Sequence, residues 1–272
     1  MIENEIWQIN ELNYYWREKY REYLKHRMSK TSCESYIKTF DRVKLHSLRK
    51  QSQIILAGKR QRPEYADEIL YLPYHPNIEI AERFYKENNK NLLAWDFTLK
   101  AAEKLKRQIF QILHYFIENA ANSERMHAQL GGLARLYDFC VLEQIEDLEK
   151  LEIDQIERFQ KTFATEYQRH YYAGVTFWCG RALFMEAEEI HWDANVWYME
   201  RMRLQPERID PAAPVMSLSF AEVTNKENRK LLQKYLRYGI GITNLSISNL
   251  RTEFLVVRKF LGDMNQPETE NI

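Results

Sequence analysis

The chain has 272 residues, 45% hydrophobic and 13% aromatic, with 39 Lys+Arg against 39 Asp+Glu. That is a globular composition, long enough for two domains and too long for most single helical bundles. No apolar run approaches the roughly 20 residues of a membrane span, and the N-terminus MIENEIWQIN has no apolar core of a signal peptide. Cys33, Cys140 and Cys179 are far apart and lack Cys-x-x-Cys spacing. Neither a disulfide framework nor a zinc site is indicated, and a reducing cytoplasm is the simplest setting.

The neutral total hides an uneven distribution. From Trp16 to Arg62 there are fourteen Lys/Arg against four Asp/Glu, whereas Val141 to Gln160 holds seven acids against two bases. A basic N-terminal third suits a polyanion. Residues 10–30 are predicted as a charged, aromatic helix and 31–57 as a second. Trp16, Tyr20 and Tyr36 are available for a small core. GKRQRPEYADE reads as a loop, and LPYHPN (72–77) as extended, because each proline disfavours the helical region for its predecessor.

Residues 98–118 form an amphipathic pattern with Leu105, Ile109, Ile112 and Phe116 on one face and Lys100, Lys104 and Arg107 on another. Ser123 is the expected cap of the next helix, whose apolar residues Met126, Leu130, Leu133, Tyr137 and Cys140 step by 4, 3, 4 and 3. Leu148, Leu151, Ile156 and Phe163 suggest a third helix. Residues 165–210 are dense in aromatics and β-formers and predict a hairpin or a short strand pair. PERIDPAAPV (206–215) reads as a proline-rich connection.

The last fifty residues carry the sharpest pattern. Thr224 with Glu227 has capping-box spacing. Leu231, Leu232, Tyr235 and Leu236 form the expected buried stripe, Gly239 and Gly241 the expected helix end. Ser246 or Asn244 is placed to cap a final helix, in which Ile247, Leu250, Phe254, Val257 and Leu261 form the core face. The expected fold is mainly α, with two or three small helical units and a short irregular or β-containing insert near 165–205. The corresponding divisions are a basic helical segment 1–64, a helical unit 65–164, an aromatic-rich insert with proline linker 165–215, and a helical hairpin 216–272.

HWDANVWYMERMRL, followed by RIDPAAPVMSLSFAEVTNKENRKLLQKYLRYGIGITNLSISNLRTEFLVVRKFL, resembles the region leading into the core-binding domain of large tyrosine recombinases, the phage-integrase family of transposons and integrative elements. LYLPYHPNIEIAERFYKENNKNLLAWDF and LARLYDFCVLEQIEDLEKLEIDQIERF are similar to N-terminal parts of such proteins. The resemblance implies helical domains that grip DNA around a crossover site. It also implies a later catalytic domain with an arginine, a lysine, a His-x-x-Arg box and a nucleophilic tyrosine. Only ten residues follow Gly262, so the catalytic domain is expected to be absent and the chain alone is expected not to be an enzyme. The one His-x-x-Arg, HSLR at 46–49, lies in a charged helical run and reads as solvated surface.

Duplex binding needs Lys/Arg at phosphate spacing, helped by hydroxyls and helix N-termini. The final helix offers Thr243, Ser246 and Ser248 at its start, then Arg251 and Arg258 seven residues apart on a face read as opposite the core stripe, with Lys259 adjacent. The earlier unit offers Lys100, Lys104, Arg107, Arg125, His127 and Arg135. Most such side chains on an amphipathic helix simply face water; the family resemblance is what raises DNA contact. The expected partners are duplex DNA and other recombinase protomers, with no membrane and no cofactor. Two alternatives stand beside this reading. One is a helical protein–protein interaction module. The other, more remote, is a di-iron carboxylate protein, because Glu124/His127 and Glu188/His191 both have Glu-x-x-His spacing. Trp178, Trp192, Trp197 and Tyr198 suit a hydrophobic core or, less commonly, a base-stacking platform.

Overall fold

A computed structural model describes residues 9–52, 62–172 and 174–263. The chain is mainly helical with two small two-stranded antiparallel sheets, and it separates into two compact units, one up to Lys100 and one from Ala101. No described helix is long and apolar enough to cross a membrane.

In the first unit, α1 (Tyr14–Lys25) starts where the Asn13 side chain accepts a hydrogen bond from the Trp16 amide. It ends near His26, and Ser29 begins α2 (Lys30–Ser52) by accepting from the Ser32 amide. The two predicted helices are therefore present and shorter; residues 53–57 of the second lie outside those described. Leu24, Cys33 and Ile37 make the small core between them, with Tyr20 at its edge, while Tyr36 is exposed. β1 (Ile69–Tyr71) pairs with β2 (Ala94–Asp96), Leu70 opposite Trp95. The LPYHPN stretch is not extended throughout: Leu72–Tyr74 closes a 3-10 turn, with Pro73 in the first turn where its missing N–H costs nothing. Asn77 then caps α3 (Ile78–Tyr85), accepting from the Glu79 and Ile80 amides.

The second unit is built on α4 (Glu103–Asn119), α5 (Ser123–Leu142) and α8 (Val175–Glu186), which pack on one another. Leu105, Ile109, Ile112 and Phe116 are buried as their spacing requires. The cap of α5 is Asn122, whose side chain accepts from the Arg125 amide, so Ser123 becomes the first helical residue. Gly132 is demanded by close packing: a Cβ there would stand 2.0 Å from Val175 Cγ2. α6 (Ile153–Lys161) is shorter than its apolar pattern, because Leu148 belongs to a 3-10 turn and Phe163 follows the helix end. The aromatic-rich stretch is mostly helical, as α7 (Glu166–Tyr172) and α8. The strand pair expected within 165–210 is met only in part: β3 (Val196–Tyr198) lies there, but its partner β4 (Ser217–Ser219) lies beyond it, across the proline-rich connection.

α9 (Lys226–Ile242) and α10 (Ile247–Asp263) close the unit. Asn225 caps α9 by accepting from the Glu227 and Asn228 amides, displacing the Thr224 cap. Gly239 does not end the helix. It lies buried inside it, where a Cβ would meet Leu250 Cδ2 at 2.7 Å. Trp197, Phe220, Leu236, Leu250 and Phe254 share one core, and Trp197 and Tyr198 belong to it, not to an open stacking surface. The proline-rich stretch is tied down: the Arg208 guanidinium donates to the carbonyls of Gly239, Ile240 and Leu245, covering the exposed carbonyls at the end of α9. Arg201 does the same for α8, donating to the carbonyls of Met185, Ala187 and Glu188. The compact units thus divide at Lys100, and the 206–215 stretch lies inside the second one.

Candidate nucleic-acid interface

The hydroxyls and cations of the last helix have distinct fates. Ser246 is its cap, accepting from the Asn249 amide at 3.2 Å. Thr243 Oγ1 donates to the Gly239 carbonyl at 2.7 Å, and Ser248 is half-buried. Arg251 and Lys259 are exposed. Arg258 is not on the outer face. It lies four residues after Phe254, so it projects from the edge of the core stripe. Its guanidinium lies 5.4 Å from the Phe254 ring centroid and 3.0 Å from Glu222. Spacing alone correctly put Arg251 and Arg258 on a common side of the helix, but that side borders the core.

The earlier candidates are similarly divided. Lys100 lies on a bend before α4 and belongs to the first unit. Lys104 pairs with Asp147 at 2.6 Å, and Arg107 with Glu103 at 2.6 Å. Burial pushes the Asp147 carboxyl up, but hydrogen bonds from Lys104, Gln108 and the Glu149 amide outweigh it and hold the pKa below the usual value. Arg125 is exposed and His127 half-buried, both in the first turns of α5. The Arg135 guanidinium stacks over Tyr172, 5.2 Å from the ring centroid. Lys104, Arg107 and Arg135 are thus matched locally.

The two Glu-x-x-His spacings do not make a bundle metal centre. Glu188 lies on a bend beyond α8, so it and His191 share no helical face. His191 Nδ1 instead meets the buried Glu149 carboxylate at 2.8 Å, in a polar cavity of about 470 Å³ that also includes Lys104, Arg107, Asp147 and Asp193. Burial raises the Glu149 pKa against the opposing pull of His191. Among the described residues, no group of three or more His, Cys, Asp or Glu is placed to hold a metal ion. His46 and Arg49 of the HSLR segment are exposed, with Arg49 paired to Glu82.

Further cations gather in the first unit. A cleft of about 860 Å³ runs between α1, α2 and the segment at the end of α3. Its walls carry Arg17, Arg21, Lys25, Lys30, Lys38, Lys86 and Lys90 against Glu34, Asp41 and Glu87, seven cations to three anions, with Tyr14, Tyr71 and Tyr85 among them. Lys25, Lys30, Lys38, Lys86 and Lys90 are exposed.

The base of this cleft is held by an ion pair. Arg17 makes a two-pronged contact with Asp41, Nε–Oδ1 at 2.7 Å and Nη2–Oδ2 at 2.9 Å. Tyr74 donates its hydroxyl to the same carboxylate at 2.5 Å, and the Arg17 guanidinium lies 4.9 Å from the Tyr71 ring centroid. Burial alone would lower the Arg17 pKa; the hydrogen bond and charge of Asp41 raise it instead. Burial pushes Tyr71 up to about 12, so its hydroxyl stays neutral. Asp41 is consumed by Arg17 and Tyr74, Glu18 holds Arg21 at 2.9 Å and Glu22 holds Lys25 at 2.5 Å, which leaves Lys30, Lys38, Lys86 and Lys90 as the exposed lysines at the cleft mouth.

The basic run 16–62 signalled one wall of this cleft. The opposite wall, with Lys86, Lys90, Tyr71 and Tyr85, comes from residues that look unremarkable in sequence and arrive by the β1–α3–β2 fold. No protein-family model, no curated protein and no solved structure matches the chain.

Proposed function

We propose that the protein binds duplex DNA through phosphate contacts made by the basic cleft of its first unit. Its setting on this reading is site-specific recombination or transposition in the cytoplasm, as the DNA-gripping, non-catalytic part of a tyrosine recombinase. The observation that carries DNA binding is the set of exposed lysines, Lys30, Lys38, Lys86 and Lys90, gathered around one cleft. Lysines on flexible stems suit sequence-independent phosphate contact, and the tyrosines add apolar and hydroxyl contact to sugar and base edges. The recombination setting rests on the sequence resemblance. Arg251, Lys259 and Arg125, exposed on the second unit, are secondary contacts on this reading.

The test is a salt titration of binding to a short labelled duplex. Each phosphate neutralised contributes a slope of about −0.9 in log K against log salt. Several lysines acting together predict a steep loss of affinity between about 50 and about 200 mM salt. Replacing Lys30, Lys38 and Lys86 by Glu should abolish binding and leave the far-UV spectrum intact. Absence of duplex binding at the lowest salt overturns the proposal.

A further inference from the structure

We infer that the α9/α10 hairpin is the half-interface of a homodimer, and that its occupant is the same hairpin of a second copy of this chain. Both helices hide one apolar stripe in the core and expose another. On α9, Leu231, Tyr235, Tyr238 and Ile242 step by 4, 3 and 4, which places them along one face. Leu232 and Leu236, on the inward face, are the buried residues of the same helix. On α10, Val256 and Phe260 repeat the four-residue step on the side away from Leu250 and Phe254. All six are between 49% and 69% exposed. The two stripes adjoin, since Tyr235 donates its hydroxyl to Glu253 of α10 at 2.6 Å.

Polar residues would serve solvent at these positions, and phosphates gain nothing from them. The amount of surface decides the kind of occupant. An aromatic side chain carries about 150–250 Å², so three aromatic and three aliphatic residues at this exposure leave several hundred Å². That is the scale of the roughly 800 Å² each partner contributes to a stable interface, and it matches or exceeds the largest apolar patch of an ordinary monomer, about 300–600 Å².

The pattern favours a second copy. Steps of 4 and 3 form the seam by which helices pack in bundles, and an antiparallel helix pair is half of a four-helix bundle. A two-fold axis through the face places each stripe on its own copy, the commonest symmetry of soluble oligomers. The six side chains then exchange water for one another without further secondary structure.

Sedimentation of the full chain, from low to high micromolar, tests this. The expected result is a reversible shift from 32.9 kDa towards twice that mass. Val256→Glu with Phe260→Glu, and separately Tyr238→Glu with Ile242→Glu, should each weaken the dimer by more than about tenfold. Their circular dichroism and Tm should stay unchanged, because these side chains already face water. Leu142→Glu, at an 81% exposed residue on α5, is the control that should leave the mass distribution unaltered. A wild-type chain that stays at 32.9 kDa throughout overturns the inference, whether or not that monomer binds vesicles or an unrelated helix. So does a dimer that both double variants leave intact.

Discussion

The cleft of the first unit and the closing hairpin of the second both carry many lysines and arginines, and they use them differently. In the cleft Arg17 is locked to Asp41, Arg21 to Glu18 and Lys25 to Glu22, and this leaves Lys30, Lys38, Lys86 and Lys90 exposed around the opening. In the hairpin Arg229 is buried in an ion pair, Arg258 turns inward to Glu222, and Arg237 lies over Trp192. Lys226, Lys230, Lys234, Arg251 and Lys259 stay exposed on the hairpin, beside a solvent-facing apolar stripe. A count of cations along a helix therefore says little about a polyanion site until the contacts have used up their share.

Breaking the anchor of the hairpin should have the largest effect. Arg229 donates to the Val223 carbonyl, to Asn195 and to both oxygens of Glu152. Arg229→Ala leaves the Glu152 carboxylate and the Asn195 amide short of a partner, and should cost about 3 kcal/mol or more in urea denaturation. Duplex affinity at low salt should be unchanged in the surviving folded fraction.

The first unit offers a pH signature instead. Lys44 of α2 is buried over the Tyr74 ring, and burial lowers its pKa to about 8. The unfolded chain keeps a normal lysine pKa near 10.4, so between the two values it binds more protons than the folded chain. Stability of the first unit should accordingly rise as pH climbs from about 8 towards 10, where tyrosine ionisation in the unfolded chain begins to oppose it. Lys44→Met should flatten that rise and raise stability at neutral pH by about 1–3 kcal/mol. A wild-type unit whose stability is flat over this window contradicts the burial argument.

Smaller effects sharpen the contrast within the hairpin. Gly239→Ala adds a methyl 2.7 Å from the buried Leu250 side chain. The overpacking should outweigh the helix-propensity gain and cost about 1 kcal/mol in thermal unfolding. Arg258→Ala loses a half-exposed pair with Glu222 and should cost less, within about 1 kcal/mol.

Much of the architecture was legible, because apolar spacing reports burial directly. Leu105, Ile109, Ile112 and Phe116 were assigned to the core from their period alone, as were Ile247, Leu250 and Phe254. Caps were legible in kind but displaced by one residue: Asn122 and Asn225 outcompete Ser123 and Thr224, an asparagine side chain being as good an acceptor for the first free amides. Gly239 misled because a glycine that ends a helix and one that lets two helices approach look the same in sequence. α8 was hidden by aromatic, β-forming composition that tertiary burial overrode. The site was the least legible part. The basic run was visible, whereas its opposing wall depends on how β1, α3 and β2 fold back, and periodicity carries no such information. The exposed α9 stripe was partly visible, but Leu231 and Tyr235 were assigned inward with Leu232 and Leu236: all four fit one broad helical face, and the core covers only the Leu232/Leu236 edge of it.

The most direct measurement is the salt dependence of duplex binding for three proteins: the wild type, Lys30→Glu with Lys38→Glu and Lys86→Glu, and Arg251→Ala with Lys259→Ala. The account predicts that the cleft variant loses both affinity and the steep salt slope, while the hairpin variant keeps the slope to within about one phosphate contact. Retention of wild-type binding by the cleft variant, with loss in the hairpin variant, would contradict it.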